Sequence, residues 1–302
     1  MKTQLTALLL SVVTPLQASS EQLEDVIEMG RLVFHAASCA VCHTDKENNG
    51  EPLAGGYPLK TDFGTFYSPN ITPDPETGIG SWSDEDFIRA LQQGVSPDGK
   101  HYFPSFPYTA YTKMHRDDVL ALKAYLFSLK PVKKANREHD LPFYMNIVPS
   151  ARAWKFSYFK GGEFQKAPDK SDEWNRGAYL VEAMGHCTEC HTPRKGLGAL
   201  DGDKLFAGVQ KLTGVGTVPN ITPDKKTGIG RWSVDDLVYY FETGTTLSGD
   251  SSGGKMASII DNSLSLLPAS DRKAIAVYLL SLEPVENRIK KKKKKRVKEE
   301  FE

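Results

Sequence analysis

Hydrophobic positions along the chain fall into helical periods separated by Gly- and Pro-rich stretches. Met29, Leu32, Val33 and Ala36 recur at i, i+3, i+4 and i+7 and predict a helix with one apolar face. Ala178, Val181, Glu182 and Gly185 occupy the same spacing in the second half. Ser83 with Asp86, and Ser233 with Asp236, form N-cap and N3 pairs that start a middle helix in each half. Val119, Leu122 and Leu126, and then Ala274, Val277 and Tyr278, mark a last helix in each. Strand signals are few, so the pattern predicts an all-α protein.

The order of these elements is duplicated. Asn70-Ile-Thr-Pro-Asp-Pro-Glu-Thr-Gly-Ile-Gly-Ser-Trp-Ser83 reappears as Asn220-Ile-Thr-Pro-Asp-Lys-Lys-Thr-Gly-Ile-Gly-Arg-Trp-Ser233. Ala121 to Leu126 reappears as Ala274 to Leu279. The repeat predicts two tandem domains, residues 20–131 and 172–286, each with its own core. Between them, residues 132–171 are rich in Lys, Phe, Tyr and Pro without clear periodicity. That segment reads as an ordered linker. Its aromatics (Phe143, Tyr144, Trp154, Phe156, Tyr158, Phe159) pack between the domains or form a docking surface for another subunit.

The two ends are different in kind. Lys2, the apolar run Leu5 to Val13 and the sequence Leu16-Gln17-Ala18 have the form of a secretory signal peptide, residues 1–18, with cleavage expected after Ala18. The run is too short to span a bilayer. Export places the protein in the periplasm and argues against a nucleic-acid partner. At the other end, Lys290 to Lys295, Arg296 and Lys298 set eight positive charges against Glu299, Glu300 and Glu302, so the formally neutral chain is an acidic body with a basic tail, residues 287–302. Such a tail reads as a solvated, disordered extension, with electrostatic contact to an acidic partner or a membrane surface as the alternative.

Four cysteines in an exported chain ordinarily predict disulfides. Here they stand as Cys39-Ala-Val-Cys42-His43 and Cys187-Thr-Glu-Cys190-His191. C-x-x-C-H is the attachment pattern for c-type haem: two thiols one helical turn apart reach the two vinyl groups, and the adjacent histidine lies under the iron. A local disulfide would leave the histidines unexplained. A zinc site would need ligands from both halves, and a thioredoxin-like pair needs an alternating strand–helix context. Two covalent haem c groups are therefore expected.

Both haem motifs, the paired Asn-to-Ser segments, Trp174-Asn-Arg-Gly-Ala-Tyr-Leu180 and Phe106-Pro-Tyr together make the chain resemble the class I dihaem cytochromes c. It is most similar to the cytochrome c subunits of periplasmic dehydrogenases for alcohols, aldehydes and gluconate. The resemblance covers nearly the whole chain except the basic tail. It implies tandem class I cytochrome c domains and transfer of single electrons, not enzymatic catalysis. A periplasmic dehydrogenase would be the donor, and a terminal oxidase, a quinone-linked system or a soluble cytochrome the acceptor.

His43 and His191 are the expected proximal ligands, and the family's usual distal partner is a methionine, which raises the reduction potential. Met256 is the candidate in the second half. In the first, the repeat points to Phe103–Phe106, neither of which can bind iron, so Met114 is the expected ligand, with His101, His115 or an open site as alternatives. An open site would make the chain a dihaem enzyme of peroxidase type. A thiosulfate-oxidising type needs a Cys ligand, and all four cysteines serve attachment. Asn70, Trp82, Asn220 and Trp232 are either donors to haem propionates or, respectively, turn caps and cofactor walls.

Overall fold

A glycine without a side chain sets the first helix crossing. The computed structural model describes residues 15–147 and 150–290, and in it helix α1 (Pro15–Ala36) is followed by the short α2 (Cys39–His43), which carries the first haem motif. A hairpin of β1 (Pro58–Thr61) and β2 (Gly64–Tyr67) comes next, then α3 (Asp84–Gln93), the single turn α4 (Tyr108–Tyr111) and α5 (Arg116–Ser128). Helix α1 packs across α5 at Gly30, where an added Cβ would lie 1.9 Å from the Ala121 carbonyl oxygen. Only glycine permits that approach.

The second half repeats the plan. After α6 (Phe143–Ile147) and α7 (Ser150–Tyr158), helix α8 (Asp172–Tyr179) leads to α9 (Thr188–His191), which carries the second motif. Two small hairpins follow, β3 (Arg194–Lys195) with β4 (Ala199–Leu200) and β5 (Val209–Leu212) with β6 (Gly216–Val218). Helices α10 (Val234–Thr243), α11 (Gly254–Asn262) and α12 (Ala269–Leu280) complete the unit. Gly177 meets the Ala274 carbonyl as Gly30 meets Ala121, with a Cβ distance of 2.0 Å. Both capping boxes form, at Ser83/Asp86 and Ser233/Asp236.

Four features depart from the sequence pattern. The chain is mainly helical but holds three two-stranded hairpins among its described residues. On α1 Val33 and Ala36 of the expected face are buried together with Gly30, Phe34 and, just past the helix end, Ala37, while Leu32 is half-buried and Met29 is 48% exposed. The apolar core is one cluster that runs through both units, joining Val33, Phe34 and Met114 of the first to Tyr179, Val181 and Met184 of the second. Each unit also extends past its expected end: Asn136 accepts from the Asn70 backbone N–H (2.7 Å), and Asn287 donates to the carbonyls of Ala207 (2.8 Å) and Gly208 (3.2 Å).

The segment between the units is ordered by one buried cation. Lys155 donates to the carbonyls of Gln93 and Gly94 at the end of α3 and lies 3.1 Å from His101 Nδ1, holding α7 against the first unit. Trp154 donates to the Leu197 carbonyl of the second unit, and Phe159 packs edge-on against Tyr108. Tyr158 packs on Trp154 with its hydroxyl toward Gly196 of the second unit, whereas Phe143, Tyr144 and Phe156 point outward, Phe156 with 94% of its surface exposed. No described helix is long and apolar enough to cross a membrane. Residues 1–14 of the expected leader and 291–302 of the basic tail lie outside the described residues, and α1 runs on through the expected cleavage point after Ala18.

Candidate haem-attachment sites

Each histidine of the two motifs is held by the same three-part clamp. His43 Nδ1 lies 2.8 Å from the Pro69 carbonyl oxygen, and His191 Nδ1 lies 2.8 Å from that of Pro219. A carbonyl can only accept, so Nδ1 carries the proton and Nε2 presents its lone pair. The backbone closes the clamp: Gly55 N–H donates to the His43 carbonyl (2.9 Å), and Gly208 N–H to that of His191 (2.7 Å). Both glycines have positive φ, and a Cβ on either would lie about 2.5 Å from the proline segment. Burial pushes both imidazoles below the usual histidine range, against the pull of the proline carbonyls. The neutral, Nε2-open tautomer is the one that binds iron.

None of the four cysteines is paired in a disulfide. Burial pushes Cys39 and Cys187 up to about 12 and Cys190 up to about 11, and raises Cys42. A thioredoxin-type pair needs the opposite, an activated thiolate. Among the described residues no group of three or more His, Cys, Asp or Glu side chains is placed to hold a metal ion, which removes the shared zinc site. The arrangement fits haem c: two apolar-lined thiols, then an oriented imidazole.

In the second unit the distal side is visible. Cys190, His191, Val218, Pro219, Met256 and Ile259 line one cleft, so α11 brings Met256 to the same space as His191. In the first unit Met114 is 0% exposed, set in the core immediately before α5, and its carbonyl accepts from Gln92 (2.7 Å). The nitrogen alternatives are engaged elsewhere, His101 on Lys155 and His115 stacked on Tyr179 with ring centroids 4.7 Å apart. Phe106 packs edge-on against Tyr102 and Tyr111, and Phe103 against Phe66.

Asn70 and Asn220 hold turns. The Asn70 amide donates to Thr77 Oγ1 (3.2 Å), the Val132 carbonyl (2.8 Å) and the Lys134 carbonyl (3.3 Å), while its oxygen accepts from the Thr72 N–H and hydroxyl. Asn220 repeats this with Thr227, Val285 and Thr222. Both are buried and their donors are committed within the protein, which leaves nothing for a propionate. Trp82 and Trp232 pack half-buried at the edge of the core. Pro69, Pro219, Gly55 and Gly208 were not singled out by motif. The repeated Pro-Asn-Ile-Thr was the available signal for the prolines.

A family model for cytochrome c matches residues 27–130. A dihaem c-type cytochrome of Cereibacter sphaeroides is 45% identical over 85% of this chain and 86% of its own length. The chain belongs to the cytochrome c family. It is also 43% identical to a nicotinate dehydrogenase subunit of Pseudomonas putida and 40% identical to the fructose dehydrogenase cytochrome subunit of Gluconobacter japonicus, in each case over 85% of this chain. It spans 21% of the former and 52% of the latter. Covalently bound haem c is accordingly the cofactor of this cytochrome.

Proposed function

We propose that the chain carries two haem c groups, attached at Cys39/Cys42 and Cys187/Cys190, with His43 and His191 as proximal and Met114 and Met256 as distal ligands. It is an exported, periplasmic electron carrier that receives single electrons from a dehydrogenase and delivers them to a downstream respiratory acceptor. The observation that carries this reading is the duplicated clamp, in which both histidines are fixed through Nδ1 on a proline carbonyl with Nε2 left open. When bound, haem supplies one-electron iron chemistry. The chain's own residues attach it, orient the imidazoles and exclude water. The fructose, gluconate and alcohol dehydrogenase relatives are cytochrome subunits by name, which supports a dehydrogenase as donor and does not favour a peroxidase.

Two measurements test this. After acid–acetone extraction the haem should stay on the protein, and pyridine haemochrome with intact mass should count two; a count of one, or extractable haem, overturns the reading. The native complex, purified through this chain, should contain a dehydrogenase whose substrate reduces the haem bands. A complex whose bound dehydrogenases leave the bands oxidised removes the proposed donor.

A further inference from the structure

The two haem-attachment loops do not lie at opposite ends of the molecule; they face each other across the seam between the units. Cys42 and Cys190 lie near one another, and Lys255 of the second unit lies near both. Lys255 also lies over the Tyr57 ring of the first unit, 3.9 Å from its centroid. Lys46, just after the first motif, donates to Asn262 (2.7 Å), and Thr109 donates to Glu189, inside the second motif (3.0 Å).

At the centre of this seam is His186, directly before Cys187. Its ring packs edge-on against Tyr111 of the first unit, centroids 5.6 Å apart, and interacts with the Ala37 carbonyl, two residues before Cys39. The Tyr111 hydroxyl reaches the same carbonyl (3.4 Å). The residue preceding the first cysteine is left-handed in both units, Ser38 at φ 53° and His186 at φ 39°. Left-handed backbone is uncommon outside glycine, though histidine is among the side chains that tolerate it, and its recurrence before the first cysteine of both motifs makes it a built feature of the loop.

We infer that His186 is a positioning residue: it locks one attachment loop onto the other so that electrons cross directly between the two haems of one chain. The contacts from Cys187 through the His186 ring to the Ala37 carbonyl and on to Cys39 form a continuous link between the loops, beside the Cys42–Cys190 approach. One electron leaves one iron and reduces the other, with no bond made or broken. This rests on the two-haem reading above.

The test uses the full haem-loaded chain. After one-electron injection by pulse radiolysis, the wild type should show a bimolecular phase followed by a phase independent of protein concentration, and the fully ferric protein should show magnetic interaction between its irons by electron paramagnetic resonance. His186→Ala should slow the second phase by about ten- to a hundredfold and weaken that interaction, since a misplacement of about 1 Å can cost as much as about a hundredfold in rate. His186→Asn should restore both, because asparagine tolerates the left-handed backbone and keeps a donor for Ala37. If His186→Ala loses haem, Tyr111→Phe, which removes only the hydroxyl, should produce a smaller change in the same direction. A wild type with no concentration-independent phase, or a haem-replete His186→Ala with both signals unchanged, overturns the inference. Neither measurement involves a dehydrogenase, so the proposed donor stands or falls separately, and a haem count of one overturns the two-haem reading itself.

Discussion

Asn220 shows how a side chain can look like a cofactor ligand and be a fastener. Its amide bonds the Val285 carbonyl, so it ties the loop behind His191 to the segment leaving α12. Asn220→Ala leaves that half-buried carbonyl only the Thr222 hydroxyl at 3.3 Å and should cost about 1–2 kcal/mol, seen as a lower Tm. The potential of the second haem should stay near its wild-type value, because no amide N–H is available to a propionate; a large shift would restore the propionate role. The methionines behave oppositely. Met256→Ala should abolish the thioether-to-iron absorption of the second haem and lower its potential, and Met114→Ala should do the same for the first. If the wild type has one such feature and Met256→Ala removes it, Met114 is a packing residue and the first haem has another ligand or an open site.

At the scale of elements, one inserted residue distinguishes the helix that leads into the second motif from its counterpart in the first unit. Nine positions lead from Gly30 to Cys39, but ten from Gly177 to Cys187. The extra residue is taken up in a π-helical turn, Leu180–Met184, closed by the Gly185 N–H on the Leu180 carbonyl (2.7 Å). Such turns absorb insertions without breaking the helix on either side. Removing Ala183 should rotate the chain beyond it by about 100° and misdirect Cys187. The expected product has the first haem attached and the second missing, by pyridine haemochrome and mass; attachment of both would show that the turn has no part in aiming the motif. Gly177→Ala tests the helix crossing. With a Cβ 2.0 Å from the Ala274 carbonyl, α8 and α12 must separate, and the cost should be about 3 kcal/mol in chemical denaturation.

The whole molecule behaves as one body because the seam is both apolar and polar. The core cluster crosses it. Tyr179 of the second unit donates to Asp118 and accepts from the His115 backbone N–H (2.8 Å), and Glu182 accepts from Lys113 (2.5 Å) and from Tyr278. Folding and unfolding of the haem-loaded chain should therefore be a single transition by calorimetry, not one per unit. Tyr179→Phe strips a buried hydroxyl from two partners and should lower stability by about 2 kcal/mol. Two resolved transitions in the wild type would show that the seam is weak.

Much of this was present in the one-dimensional pattern, and the reasons are local. The thiol spacing, the adjacent histidine and the capping serines act within one turn of chain, so Cys39, Cys42, His43 and their counterparts stand out as candidates in the sequence, and the caps at Ser83 and Ser233 form as the pattern predicts. The features that waited for tertiary structure depend on neighbours distant along the chain. Periodicity placed Val33 and Ala36 on the buried face of α1 but could not reveal Gly30, its closest contact, which has no side chain to enter an apolar pattern. Asn70 and Asn220 find their partners about 60 residues away in Val132 and Val285. The outward turn of Phe156 follows from Lys155 facing inward to satisfy the end of α3. Sequence determined which residues can carry haem; the packing of one unit on the other decided that the two attachment loops meet, because contact across a seam is a property of two surfaces and of neither segment alone.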